Sequence, residues 1–578
     1  MKIPKGDDAD FVTRTPIGGT AMHNERSQVR RATAWRQPTV GGTLEGDRRA
    51  AEKVVLEAAE AEHDLVDEGC GTDPSTLSAG QLYRRVSGRD DRARPVSEEE
   101  LAGLSDPMAA EFFRRNRFPV TVRELLSGLP EAAAASRRVY LVSEAGQIAP
   151  GTSPGLHRDM RFAVTVAVRA GQADLLISTQ AGGDQVTAFL QVAAWDPDAK
   201  VFNFYMRVGP TWVWAGNSWD ALEPDSRGKG CFDSHVNGSA VMKELRIPWI
   251  NWQSERATIR LADDDPLRRD PLYQQVTGAQ KLELTVRSLV TRWTAARLAR
   301  VTANGVVEHP DRLLRHLFTT TTVNLASTDR QSSVVTPESA DLVLPMGFWL
   351  NQDVLLNDLG LVTQAAPPTA PAARYCASLA RFGFRLEERA EDGGIAFRQP
   401  GDTFFAFAVP EAAHEDSEVV RQMIRHGLLS AKFAACVLMV DFPDPVFSAP
   451  RAHLMRYAPT TATKSSALCD QMALAITDAA RALPADSPES RFAAHWEVPD
   501  DAWQAVFGQR VDTYLRKAAA RARTEDGFDD YVRLAESRRR QFRAMKLNEF
   551  QLTLPVTDIP ADAPPLTMRE DATTAPLS

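Results

Sequence analysis

The chain has 578 residues, 43% hydrophobic and 25% charged, with a formal net charge of -9, a pI near 5.7 and a mean hydropathy of -0.29. That length exceeds what one compact core organises and points to two or three domains. The acidic balance argues against a nucleic-acid partner. The longest apolar run, FAACVLMV at 433–440, is too short to cross a membrane.

Residues 1–104 are polar and rich in Arg, Asp and Glu, and are expected to form an arm, partly helical or disordered. Within it, DRRAAEKVVLEAAEAEHDLVDEG has the pattern of an amphipathic helix stopping at Gly69. Such an arm could grip a neighbouring copy and make a homo-oligomer. The start lacks the apolar run of a secretory signal. Cys70, Cys231, Cys376, Cys436 and Cys469 are scattered without paired spacing, which fits a reduced, cytoplasmic protein.

The pattern changes within 105–362. From Arg137 onward, short β-branched and aromatic runs (RRVYLVSEAG, RFAVTVAVRA, ADLLISTQ, AFLQVAAW, VFNFYMRV, TWVWAG) alternate with Gly, Asp and Pro turns. This predicts an antiparallel meander, since the connections are too short for crossover helices. Helical patterns follow: SAVMKELRI up to Pro248, KLELTVRSLVTRWTAARLARV, and HPDRLLRHLF opening at Pro310. TQAAPPTAPAA at 363–373 is expected to be a linker. Residues 374–550 should form a mostly helical α+β domain, with strands first and then EDSEVVRQMIRHG. In that helix Glu415, Asp416 and Glu418 sit at the start and Arg425 and His426 at the end, complementing its dipole. The tail 551–578 is expected to be disordered. The fold class is therefore α+β: an antiparallel sheet with a helical lid, then a second, mostly helical domain.

No nucleotide-binding glycine motif, HExxH, GxSxG or EF-hand loop is present. HRD at 157–159 has Val164 where a kinase has its metal-binding Asn, and no glycine-rich loop precedes it. ADDDP at 262–266 lacks calcium-ligand spacing and reads as a solvated turn. The basic run SRRRQFRAMK at 537–546 reads as a solvated helix face.

The strongest candidate lies at 195–252, which holds six of the eleven tryptophans. A two-residue Gly209-Pro210 turn would set Arg207 opposite Trp212 and Tyr205 opposite Trp214. Phe202, Phe204, Met206, Val213 and Ala215 then share the core face. Asn203, Tyr205, Arg207, Trp212 and Trp214 share the other, which must either be covered or wall a pocket for an apolar or aromatic ligand anchored by Arg207. The loop RGKGCFDSHVNGS follows at 227–239. If extended, it points Cys231, Asp233 and His235 to one side, as metal ligands with His157 completing the set, or as a thiol and an acid/base pair. Arg227, Lys229 and Asn237 would then bind substrate. His309 and His316 are further ligand candidates, and Arg315 and His316 precede the hydroxyl-rich run TTTT at 319–322.

Two functions follow as expectations. One is a soluble oxidoreductase using a metal ion or haem on an apolar or aromatic small molecule. The other is a non-catalytic binding or assembly protein.

Overall fold

The computed structural model describes residues 77–577, apart from short segments at 154–155, 157, 170, 184, 243–248, 391–392, 464–466 and 546–554. The helix expected before Gly69, Cys70 and His157 lie outside the described residues, as does most of the proposed arm.

An eight-stranded sheet occupies the first half: β1 (Leu82–Arg84), β2 (Arg94–Pro95), β3 (Arg138–Ser143), β4 (Met160–Val166), β5 (Leu175–Gln180), β6 (Leu190–Asp196), β7 (Val201–Val208) and β8 (Thr211–Asn217), in the order β2-β1-β8-β7-β6-β5-β4-β3. Strands β3 to β8 are the expected antiparallel meander. β1 adds in parallel beside β8, so the sheet is mixed, and residues 82–95 of the expected arm belong to its edge. The fold class is α+β, as the patterning indicates.

The β7–β8 hairpin has the expected register: Val208 faces Thr211, Arg207 faces Trp212 and Tyr205 faces Trp214. Gly209 has φ of +57°, the positive value a two-residue hairpin turn with Gly first requires. A bulge then intervenes, so Asn203 pairs with Asn217. Phe202, Phe204 and Ala215 pack on one face against Phe232, Leu289 and Trp293.

The second half is mostly helical. It includes helices Ala279–Val301, Asp311–Phe318, His414–Arg425, Trp503–Ala522 and Glu525–Ala544. Short strands Arg385–Arg389 and Ile395–Pro400 pair antiparallel. Val409–Ala412 pairs with Val323–Ala326, joining chain from both sides of the Ala/Pro segment.

That segment is not a free linker. The largest apolar core runs from Leu298 to Ala572 and so includes residues on both sides of it. Asp512 Oδ1 also accepts from Thr363 Oγ1 at 2.8 Å, Gln364 N at 2.8 Å and Ala365 N at 2.7 Å.

Two other expectations are corrected. The end of the tail is ordered: Leu566–Met568 and Thr574–Pro576 form a hairpin, and Tyr531 donates its hydroxyl to Ala572 O at 2.9 Å. The basic run is partly interior, since Arg538 and Arg539 are buried. Arg538 meets Asp444 at 2.8 Å and Arg539 lies 3.7 Å from Asp402. Guanidiniums can be buried this way because carboxylates reach them from chain about a hundred residues distant.

Candidate functional site

The aromatic face is covered. Tyr205 and Trp212 are buried against Met108, Phe113, Val122 and Leu125, from the segment preceding the meander. Trp212 Nε1 donates to Pro119 O at 2.8 Å, and Trp214 Nε1 to Asn203 Oδ1 at 3.0 Å. Asp106 pins this cover. It caps helix Pro107–Glu111 through Met108 N and Ala109 N, and its other oxygen accepts from Asn203 Nδ2 at 2.8 Å and the Tyr205 hydroxyl at 2.7 Å. Burial pushes its pKa up to about 6. Arg207, the expected ligand anchor, is engaged by the chain itself. Its guanidinium donates to the carbonyls of Val186, Ala188 and Gly209, fixing the β5–β6 connection. Arg84 lies over the Trp214 ring, 5.2 Å from its centroid.

The loop 227–239 is not extended. Gly230–Phe232 forms a 3-10 turn, Asp233 continues it in helical geometry, and further turns follow. Gly238 has φ of +71°, and a Cβ there would fall 2.4 Å from Ser218 O, so the loop closes tightly on the end of the sheet. Cys231, Asp233 and His235 therefore do not share one side. Cys231 joins the apolar cluster of Phe204 and Phe232. Asp233 accepts from Ser234 Oγ at 3.0 Å. His235 is buried, with Nδ1 2.7 Å from Ser239 O. Lys229 is exposed. Among the described residues, no group of three or more His, Cys, Asp and Glu is placed to hold a metal ion. Residues 239–242 are irregular, and the rest of the expected helix SAVMKELRI lies outside the described residues.

What the loop does is enter a buried polar network. Asn237 Nδ2 donates to Thr321 Oγ1 at 3.0 Å, and Thr321 donates that hydroxyl to Asp416 Oδ1. His316 Nδ1 lies 2.6 Å from the same oxygen, and Arg297 Nη1 donates to His316 Nε2 at 3.0 Å. Arg227 donates to Val236 O at 3.1 Å and Thr321 O at 3.2 Å. The proton positions follow from the donors. An arginine only donates, so Nε2 of His316 accepts and its Nδ1 carries the proton to Asp416. Burial, then the charges of Arg297, Arg227 and Arg315, holds His316 well below the ordinary imidazole pKa. Burial also lowers Arg227 to about 10 and Arg297 to about 9. A neutral imidazole with both nitrogens occupied cannot exchange a proton with a ligand. The network therefore ties the sheet to helices Asp311–Phe318 and His414–Arg425, and is architectural. His309 stands outside it, just before the helix, at φ of +51°.

A cleft of about 560 Å³ opens elsewhere, where β4 begins and β5 ends, lined by Arg123 and residues 158–160, 180–182, 265–267 and 269–271. Its volume falls within the roughly 300–1,000 Å³ of small-molecule sites. Arg158 stands at the start of β4, half-buried. Its Nη2 donates to Ser153 Oγ at 2.6 Å, and its buried Nη1 has no acceptor among the described residues. Burial lowers the Arg158 pKa. Asp265 and Asp270 line the opposite loop. Asp265 Oδ1 caps Leu267 N at 2.9 Å, and Asp270 Oδ1 caps Leu272 N at 2.7 Å. These residues belong to HRD and to the neighbourhood of ADDDP, segments that spacing alone left without a role. Comparison with family models, curated proteins and solved structures found no match.

Proposed function

We propose that this protein binds a small molecule bearing a carboxylate or phosphate, in the cleft between the start of β4 and residues 265–271. The observation that carries this is Arg158, a half-buried guanidinium that has, among the described residues, one nitrogen without an acceptor and no carboxylate in ion-pair contact, placed in a concavity of ligand size. A desolvated cation that lacks its partner is most readily completed by an anion, and guanidinium favours planar two-oxygen acceptors. Met160, Ala181 and Leu267 supply apolar wall beside it.

The oxidoreductase reading has weaker support: the tryptophan face is packed and the loop 227–239 gathers no donor set among the described residues. The binding-protein reading is therefore preferred. No described helix is long and apolar enough to cross a membrane. In this reading the protein works in the cytoplasm, and residues 1–76 are where assembly into an oligomer would be sought.

Equilibrium dialysis against labelled inorganic phosphate and labelled acetate tests the proposal, with wild-type protein and Arg158→Gln. At least one probe should be retained by the wild type and fall to background in the variant, with both proteins melting alike. Equal retention by the two proteins, or none by the wild type, would overturn it.

A further inference from the structure

The lining of the cleft is charged in both senses. Arg158 and the exposed Arg269 have no carboxylate within ion-pair distance among the described residues, and Asp265 and Asp270 have no cation. Among the described residues, the lining carboxylate that does pair is Asp159, with Arg161 at 3.9 Å. Each capping aspartate spends Oδ1 on a backbone amide, and Oδ2 has no hydrogen-bond partner among the described residues. Charges of opposite sign that line one concavity without pairing present a complementary surface to a ligand with both signs.

We propose that the ligand is a zwitterion of amino-acid size, its carboxylate held by Arg158 and its ammonium by Asp265 and Asp270. This rests on the anion-binding reading above and deepens it. A simple anion would meet attraction from Arg158 and Arg269 and repulsion from the two aspartates. A zwitterion converts that repulsion into two further charge-assisted hydrogen bonds. The backbone caps matter to the geometry, because they hold both carboxylates at the rim before the ligand arrives and reduce the ordering cost of binding. Leu267 and Met160, which also line the cleft, would receive an apolar side chain.

The test compares L-leucine with 4-methylpentanoate, which keeps the carboxylate and side chain but lacks the amine. Their affinities would be measured by calorimetry on the full chain, in wild type, Arg158→Gln and Asp270→Asn. Asp270→Asn keeps an oxygen for the Leu272 cap, so the loop is retained. L-leucine should bind at least tenfold more tightly than 4-methylpentanoate to the wild type. Asp270→Asn should cut that preference to less than threefold while leaving 4-methylpentanoate as tight or tighter. Arg158→Gln should weaken both. If the wild type binds the two equally, the zwitterion is wrong and the anion site stands. If it binds neither, both proposals fall.

Discussion

His316 Nδ1 lies 2.6 Å from Asp416 Oδ1, a contact between residues one hundred apart that joins helix Asp311–Phe318 to the first turn of helix His414–Arg425. Asp416 also accepts from Thr321, whose other partner is Asn237 of the loop 227–239. Removing this carboxylate leaves buried donors unanswered and two neighbouring guanidiniums without its charge. Asp416→Ala should therefore lose about 3–5 kcal/mol of unfolding free energy, read from urea denaturation. A loss under about 1 kcal/mol would show that the network contributes little to holding the two halves together.

Protonation carries a second consequence. Burial, with the Arg510 charge next, depresses His495 to about 3. A base lowered by folding contributes stability that is complete above the unfolded value near 6.5 and is lost as pH falls below it. Asp106, raised to about 6, and Asp441, raised to about 7, act in the opposite sense, favouring the fold at low pH and losing that contribution as pH rises through those values. His495→Gln isolates the histidine. The stability lost between pH 7 and pH 5 should shrink by about 2 kcal/mol in the variant, at about 1.4 kcal/mol per unit. An unchanged pH dependence would contradict the assignment.

The Asp106 latch makes a third prediction. Four donors converge on its two oxygens, from the cover itself and from β7. Asp106→Ala should cost about 2–4 kcal/mol, as buried donors lose their acceptor. It should also speed proteolytic cleavage within residues 97–130 before the rest of the chain is cut. Cleavage at the wild-type rate and position would mean that apolar packing alone holds the cover.

Much of the first half was legible because its signals are local. A two-residue turn with Gly first specifies the β7–β8 register, and strand alternation places Phe202 and Phe204 on the inner face. The bulge opposite Asn203–Tyr205 leaves no mark in the alternation of β7, which by itself sets Asn203 and Tyr205 on the one face that meets Asp106. What covers the tryptophan face is hidden as well, since Phe113 and Leu125 lie between the polar arm and Arg137, where no strand or helix pattern stands out.

The sites show the same divide. Asp416 fits dipole complementation well enough that its position in the sequence gives no hint of His316. Arg538 and Arg539 stand in a run of arginines, and burial distinguishes them only through Asp444 and Asp402. The cleft assembles Arg158 with Asp265 and Asp270, about a hundred residues away, and neither segment has a motif spacing that carries chemistry alone. His316 reads from the sequence only as a ligand candidate with His309, yet the helix begins at Asp311 and leaves His309 outside it.

The central claim is that Arg158 completes its coordination with an anion in the cleft. The most direct measurement is selenium anomalous scattering from crystals of the full chain soaked in selenate. The account predicts a peak whose oxygens come within about 3 Å of the Arg158 guanidinium, absent from Arg158→Gln crystals. Selenate bound only at other arginines, with the cleft empty in the wild type, would contradict it.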